Sequence, residues 1–177
     1  MCGGKERRPP RRTSPTTKDS YGIPGFHDGD KGAALLIFSP RMQEIYKAWA
    51  QAQLTAVNPY TGVPLAKEPA LAVYEVQNED SYFWWSFDWN LKDPEKLASL
   101  EVEYGKWLTQ RYGTLEQALA AWGQRDDRDR PQEGRAAFLN SYQLTGGGIA
   151  QAPATRQRAS DQLRFLVEHQ RAFYAGM

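Results

Sequence analysis

Asn78 and Glu79 stand side by side between an apolar run, Leu71-Ala72-Val73-Tyr74-Glu75-Val76-Gln77, and an aromatic one, Tyr82-Phe83-Trp84-Trp85-Ser86-Phe87-Asp88-Trp89. A carboxyl group at the rim of an apolar, aromatic-lined site has its ionised form desolvated, which raises its pKa toward general-acid work. The amide beside it both donates and accepts hydrogen bonds, which suits a ligand rich in hydroxyls. Indole rings stack on the apolar faces of such ligands. Together these residues predict a carbohydrate site, with Glu79 as the proton donor, Asn78 as a hydrogen-bonding partner, and Trp84, Trp85 and Trp89 as stacking surfaces. Asp80 and Asp88 are further candidates for polar contacts. Glu75 precedes Glu79 by four positions, and in a strand even spacing puts both side chains on one face. Its other reading is a buried carboxylate paired with a base.

The elements that must position this site follow from pattern. Residues 71–77 are mostly apolar with β-branched Val73 and Val76, which predicts a strand buried on both faces. Ala33 to Phe38 reads as a second strand or as the lead-in to a helix. Ser39-Pro40 supplies a helix N-cap followed by proline at the first helical position. Met42, Ile45, Trp49 and Ala52 carry that helix to about Ala56, with Tyr46 widening its face. Asn58-Pro59-Tyr60-Thr61-Gly62 is turn chemistry.

Asp93-Pro94 opens another helix, with Leu97, Leu100, Tyr104, Trp107 and Leu108 as its stripe and Gly113 as its cap. Thr114 and Gln117 form a capping box for a short helix that Gly123 closes. Residues 124–135 and 145–154 read as loops. A last helix starts near Thr155 and places Leu163, Leu166, Val167, Gln170 and Phe173 on one side. Trp49, Trp107 and Trp122 fall on helical stripes and are expected in the core.

Composition narrows the function. Lys plus Arg number 22 against 21 Asp plus Glu, a balance that offers no global attraction to nucleic acid or to an acidic membrane surface. No apolar run reaches the roughly 18 residues of a membrane helix, and the N-terminus lacks the apolar stretch of a secretory signal. Cys2 is the single cysteine, so no internal disulfide forms, and no apolar segment before it supports a lipid anchor. With His27 and His169 as the only histidines, nothing has zinc-ligand spacing, and no cofactor motif is present. Residues 1–20 combine Lys5, Arg7, Arg8, Arg11, Arg12 and Lys18 with prolines and few apolar groups, which predicts a disordered tail.

From Asn58 to Glu79 the chain reads NPYTGVPLAKEPALAVYEVQNE. This stretch resembles the cellulase-like (β/α)8 glycoside hydrolases of clan A, in which an Asn-Pro-Tyr-Thr-Gly turn and an apolar strand lead into the Asn-Glu that closes the fourth barrel strand. WLTQRYGTLEQALAAWG, from Trp107 to Gly123, is similar to the helical segment that follows there. QLRFLVEHQRAFYAGM, from Gln162 to Met177, is similar to the helix before the fifth strand. The resemblance covers roughly residues 21–177.

It implies an α/β fold, an incomplete (β/α)8 barrel fragment that is helix-rich with one or two strands. It also implies hydrolysis of β-linked sugars with retention, Glu79 as acid/base and Asn78 as the amide that bonds the sugar 2-hydroxyl. Retention requires a second carboxylate about 5–5.5 Å away as nucleophile, and no residue here matches it. By the same resemblance His27 lies in a loop on the catalytic rim and contacts substrate, whereas Asn58, Tyr60 and Gly62 lie on the opposite, turn-forming face. The implied partner is an oligo- or polysaccharide, with self-association or missing barrel strands covering the apolar faces. The competing expectation is a non-catalytic module that binds sugars or a protein partner through the Trp84–Trp89 surface.

Overall fold

The computed structural model of the chain describes residues Ile23, Phe26, 33–76, Phe83, 85–90 and 92–177. The described elements are helical: α1 (Ala33–Leu36), α2 (Pro40–Thr55), α3 (Trp85–Asn90), α4 (Pro94–Tyr112), α5 (Leu115–Trp122), α6 (Gly146–Gln151) and α7 (Arg156–Gly176), joined by short 3-10 turns. None of these helices is long and apolar enough to cross a membrane.

Local chemistry sets most boundaries. The Ser39 hydroxyl accepts from the Met42 amide, with Pro40 opening α2. Asp93 accepts from the amides of Glu95 and Lys96 at the start of α4, and Thr114 accepts from Gln117 at the start of α5. Gly113 and Gly123 close those helices at φ +91° and +70°, a backbone region in which a Cβ is strained. Asn58 holds its turn by accepting the Tyr60 amide on its side chain and the Gly62 amide on its carbonyl.

The core gathers around Tyr104. Its ring lies 5.1 Å from Phe138, 4.9 Å from Phe165 and 6.1 Å from Trp122. Leu100 and Leu108 from α4, Leu119 from α5, and Leu166 and Phe173 from α7 fill the space between them. The α1–α2 region docks on the far end of α7, where Phe38 stacks on Phe165 at 5.4 Å and Tyr46 meets Phe173 at 6.3 Å.

The α/β barrel expectation is overturned. Among the described residues there is no sheet; the only β pairings are isolated bridges, Val57 with Pro64 and Arg130 with Arg135. Residues 71–76 form no strand, and Ala72, Val73 and Glu75 are exposed, Val73 at 78%. A strand is stable only when its N–H and C=O groups find a ladder partner, and no described segment pairs with residues 71–76 in a ladder. Side chains hold the segment instead: the Tyr46 hydroxyl donates to the Val76 carbonyl, and the Tyr74 hydroxyl donates to Gln53 at 3.4 Å. Of Ala33–Phe38, read as a second strand or the lead-in to a helix, Ala33–Leu36 is helical.

A different segment is extended and buried. Ala136, Ala137, Phe138 and Leu139 are at most 4% exposed and have no strand partner. The Ala136 N–H donates to the Glu101 carbonyl at 3.4 Å, and side chains hold much of the rest. The Gln162 amide accepts from the Leu139 N–H at 2.7 Å and donates to the Leu139 carbonyl at 2.8 Å, as a neighbouring strand would. Asp129 accepts the Ala137 N–H, Arg158 donates to the Ala137 carbonyl, and Arg128 donates to the Phe138 carbonyl.

Further corrections concern faces. Trp49 is 50% exposed rather than in the core, because α2 turns Met42 and Ala50 inward. Trp122 is buried as expected, and Trp107 packs half-buried against the core. On α7 the buried face runs through Arg158, Ala159, Asp161, Gln162, Phe165, Leu166 and Phe173, while Val167 is exposed. An apolar stripe cannot reveal a face whose first turns bury charge. Residues 145–154 contain helix α6, which Thr145 caps by accepting the Gly148 amide.

Candidate functional site

Of the residues expected to do chemistry, His27, Asn78, Glu79, Asp80 and Trp84 lie outside the described residues. Trp85 opens α3, a helix of six residues, and its side chain is likewise outside the description. Asp88 on α3 accepts the Ser141 amide on both carboxylate oxygens, at 3.1 and 3.0 Å. That fixes α3 to the start of the 3-10 turn Tyr142–Leu144, so Asp88 is a positioning group here. Trp89 is 60% exposed, with the Lys92 ammonium 5.2 Å from its ring. Phe87, two residues before Trp89, is buried edge-on to Phe138. The aromatic segment thus divides: Phe87 anchors, and Trp89 presents its indole to solvent. Glu75 is exposed, and without a strand over 71–76 the shared face with Glu79 has no structural basis.

The most concentrated polar chemistry lies elsewhere, where α4, α5, α7 and residues 124–139 meet. Arg158 bonds both oxygens of Asp129 at 2.8 and 2.6 Å, and its guanidinium lies 4.7 Å over the Trp122 ring. Burial pushes the Asp129 carboxyl up, but Arg158 and the Ala137 N–H outweigh it and hold the group below the usual carboxylate range. Asp126 accepts a bidentate pair from Arg128 at 2.9 and 2.7 Å, and these bonds lower its pKa to about 2. Asp161 receives the Tyr112 hydroxyl at 2.6 Å and the Trp122 indole N–H at 2.8 Å, with the Arg111 Nε at 3.6 Å.

Glu101, buried on α4, accepts from Arg135 at 3.0 and 2.7 Å. Burial raises its pKa, and the arginine only partly offsets that.

Asp129, Asp161 and Glu101 are bonded to donors on other elements and tie those elements together, while Asp126 is held by Arg128 within its own loop. From sequence, residues 124–135 read as a charged loop, and nothing in that stretch marks these pairs. The partners lie far apart along the chain, Asp129 with Arg158 and Trp122 with Asp161, and each member alone looks like a solvated charge.

A pocket of about 100 Å³ opens beside this network, lined by Trp122, Arg125, Asp126, Leu139, Thr155 and Arg158 among others. Among the described residues no group of His, Cys, Asp and Glu side chains is arranged to hold a metal ion.

No family model, curated protein or solved structure matches the chain.

Proposed function

We propose that the chain supplies the acid/base half of a retaining glycoside hydrolase site for β-linked sugars. In this reading Glu79 protonates the leaving oxygen, and as carboxylate it then activates the water that releases the sugar. Asn78 bonds a sugar hydroxyl beside it, and Trp84, Trp85 and Trp89 offer stacking rings. One observation carries it: the order Asn-Pro-Tyr-Thr-Gly, apolar run, Asn-Glu, aromatic run within residues 58–89. Two structural features support it. The Asn58 turn is closed by its own hydrogen bonds with Tyr60 exposed, as a turn with no ligand role would be. The Trp89 indole, ten residues after Glu79, is exposed to solvent.

A second reading, a non-catalytic sugar-binding module, is favoured by the same exposed indole on a helical core whose apolar faces cover one another. One experiment separates the two. The chain alone, which has no nucleophile, is expected to bind without turnover. β-Linked oligosaccharides and aryl β-glycosides are therefore offered to the chain and to Glu79→Gln, each completed by the polypeptide that carries the second carboxylate, and both binding and hydrolysis are measured. The reading expects binding in both proteins and an oligosaccharide rate lower by about 10²–10⁴ in the variant. The loss should shrink for an aryl leaving group, and azide should restore turnover because it needs no base. Equal oligosaccharide hydrolysis by the variant would overturn it. Binding with no hydrolysis by either protein, even with the second carboxylate supplied, selects the module.

A further inference from the structure

We propose that the exposed face of α7 docks an acidic amphipathic helix of a partner protein. The inference goes beyond the sugar-site reading and does not rest on Glu79.

Spacing defines the seam. Ser160, Leu163, Val167, Gln170 and Tyr174 follow one another at intervals of three, four, three and four residues. That interval lines them up along α7 as the contact positions of a coiled coil are lined up. The inward face of the helix runs through other positions, Phe165, Leu166 and Phe173 among them. On the seam, Val167 and Tyr174 are 40% and 43% exposed, and Leu163 and Gln170 are half-buried. Its middle is thus a shallow track, apolar at Leu163 and Val167, that the fold leaves partly open.

Charge identifies the occupant. Arg164 and Arg171 flank the seam, and Arg156 stands at its start. All three are exposed, and none has an ion pair among the described residues. The acids of α7 are committed elsewhere. Asp161 is buried against Tyr112 and Trp122, and Glu168 accepts the Trp107 indole N–H at 2.7 Å. Residues that flank such a seam choose the partner by charge, so this face selects carboxylates. Arg164 and Arg171 are seven residues apart, a rise of roughly 10.5 Å. Two acidic residues seven apart on a helix running alongside have the same rise, so both pairs close together.

Other occupants fit less well. A second copy docked through the same face brings three more arginines and no acid. Residues 1–20 of the chain itself are net basic and would be repelled. Duplex DNA carries a phosphate about every 3.4 Å along each strand, far denser than these arginines, and offers nothing to the apolar seam. Helices that lie in an anionic membrane surface insert bulky groups such as Trp, Phe and Leu, whereas the open part of this seam carries Ser160, Val167 and Gln170.

The test uses the whole chain and two synthetic helical peptides. Each peptide carries Leu at alternating three- and four-residue intervals; one has Glu at the flanking positions and the other has Lys. Binding is read by fluorescence anisotropy, and the fold of every variant is checked by its Tm. The Glu-flanked peptide should bind and the Lys-flanked one should not. Arg164→Glu with Arg171→Glu should weaken the Glu-flanked peptide by about tenfold or more and admit the Lys-flanked one. Val167→Asp should also weaken the Glu-flanked peptide, because it puts a charge into the seam. Lys67→Glu with Arg125→Glu makes the same charge change at exposed positions outside α7 and should leave binding unchanged. The proposal is overturned if that control weakens binding as much as the α7 double variant, if Val167→Asp has no effect, or if neither peptide binds. Duplex DNA and phosphatidylserine vesicles run beside the peptides. Tighter binding of either, lost in the α7 double variant, also overturns it and assigns the face to that polyanion.

Discussion

Arg158 grips Asp129 fork to fork, and both side chains are at most 5% exposed. The pair does more than cancel charge. Asp129 also accepts the Ala137 N–H, and Arg158 also donates to the Ala137 carbonyl, so two side chains hold an extended buried segment in the place of a sheet.

Breaking that pair from one side should therefore be severe. Asp129→Ala leaves the Arg158 guanidinium buried and uncompensated and orphans the Ala137 N–H, at a cost of about 3–5 kcal/mol. Urea unfolding should show the midpoint drop. The double variant Asp129→Leu with Arg158→Met should recover part of the loss, because neither charge is then stranded. If the single variant unfolds within about 1 kcal/mol of the parent chain, Asp129 is not the clasp described here.

Acid should loosen the same region. Asp126 titrates at about 2 in the fold against an ordinary 3.8, chiefly through its Arg128 hydrogen bonds, and Asp129 is also lowered. A depressed carboxylate stabilises the fold above its unfolded pKa and loses that contribution as pH falls through the folded one. The loss should thus fall between about pH 4 and pH 2. Asp126→Asn should flatten that limb of a stability-against-pH curve. Glu101 has the opposite sign: burial raises its pKa, so its contribution fades as pH climbs above the ordinary carboxylate range. Glu101→Gln should remove that second slope and leave the acid limb in place.

Close backbone approach makes Gly105 irreplaceable. A Cβ there would lie 1.9 Å from the Gly134 carbonyl oxygen, and one at Gly148 would lie 2.2 Å from the Tyr142 carbonyl oxygen. In each case the obstacle is backbone, which cannot rotate aside. Gly105→Ala and Gly148→Ala should each cost about 1–3 kcal/mol or more in chemical unfolding. Gly146→Ala, with nothing within 4 Å, serves as the control and should be neutral or slightly stabilising.

Two tyrosines on α4 should respond in opposite directions. The Tyr104 hydroxyl is fully buried without a hydrogen-bond partner, so Tyr104→Phe removes an unsatisfied group and keeps the ring stack. Its Tm should hold or rise. Tyr112 donates to the Asp161 carboxylate at 2.6 Å, and Tyr112→Phe should cost about 1.5–3 kcal/mol, the range for a bond to a charged group. A large destabilisation in Tyr104→Phe would mean that its hydroxyl has a partner.

Most boundaries whose deciding interaction spans three or four residues were legible in the sequence; Thr145, which caps α6 by accepting the Gly148 amide, was not. Ser39-Pro40, Asp93-Pro94 and Thr114 start their helices as their side chains require, Gly113 and Gly123 end theirs, and Asn58 makes its turn. Tertiary structure decided the rest, because burial and pairing depend on groups distant along the chain. Apolar residues 71–76 have the composition of a strand but no described ladder partner, and they lie on the surface. Ala136–Leu139 is buried where Asp129, Arg158 and Gln162 bond the Ala137 and Leu139 backbone. Trp49 and Trp122 occupy similar helical stripes, yet only Trp122 meets a second helix that supplies a carboxylate for its N–H. Composition states which groups need partners, and only the packed chain decides which of them find one.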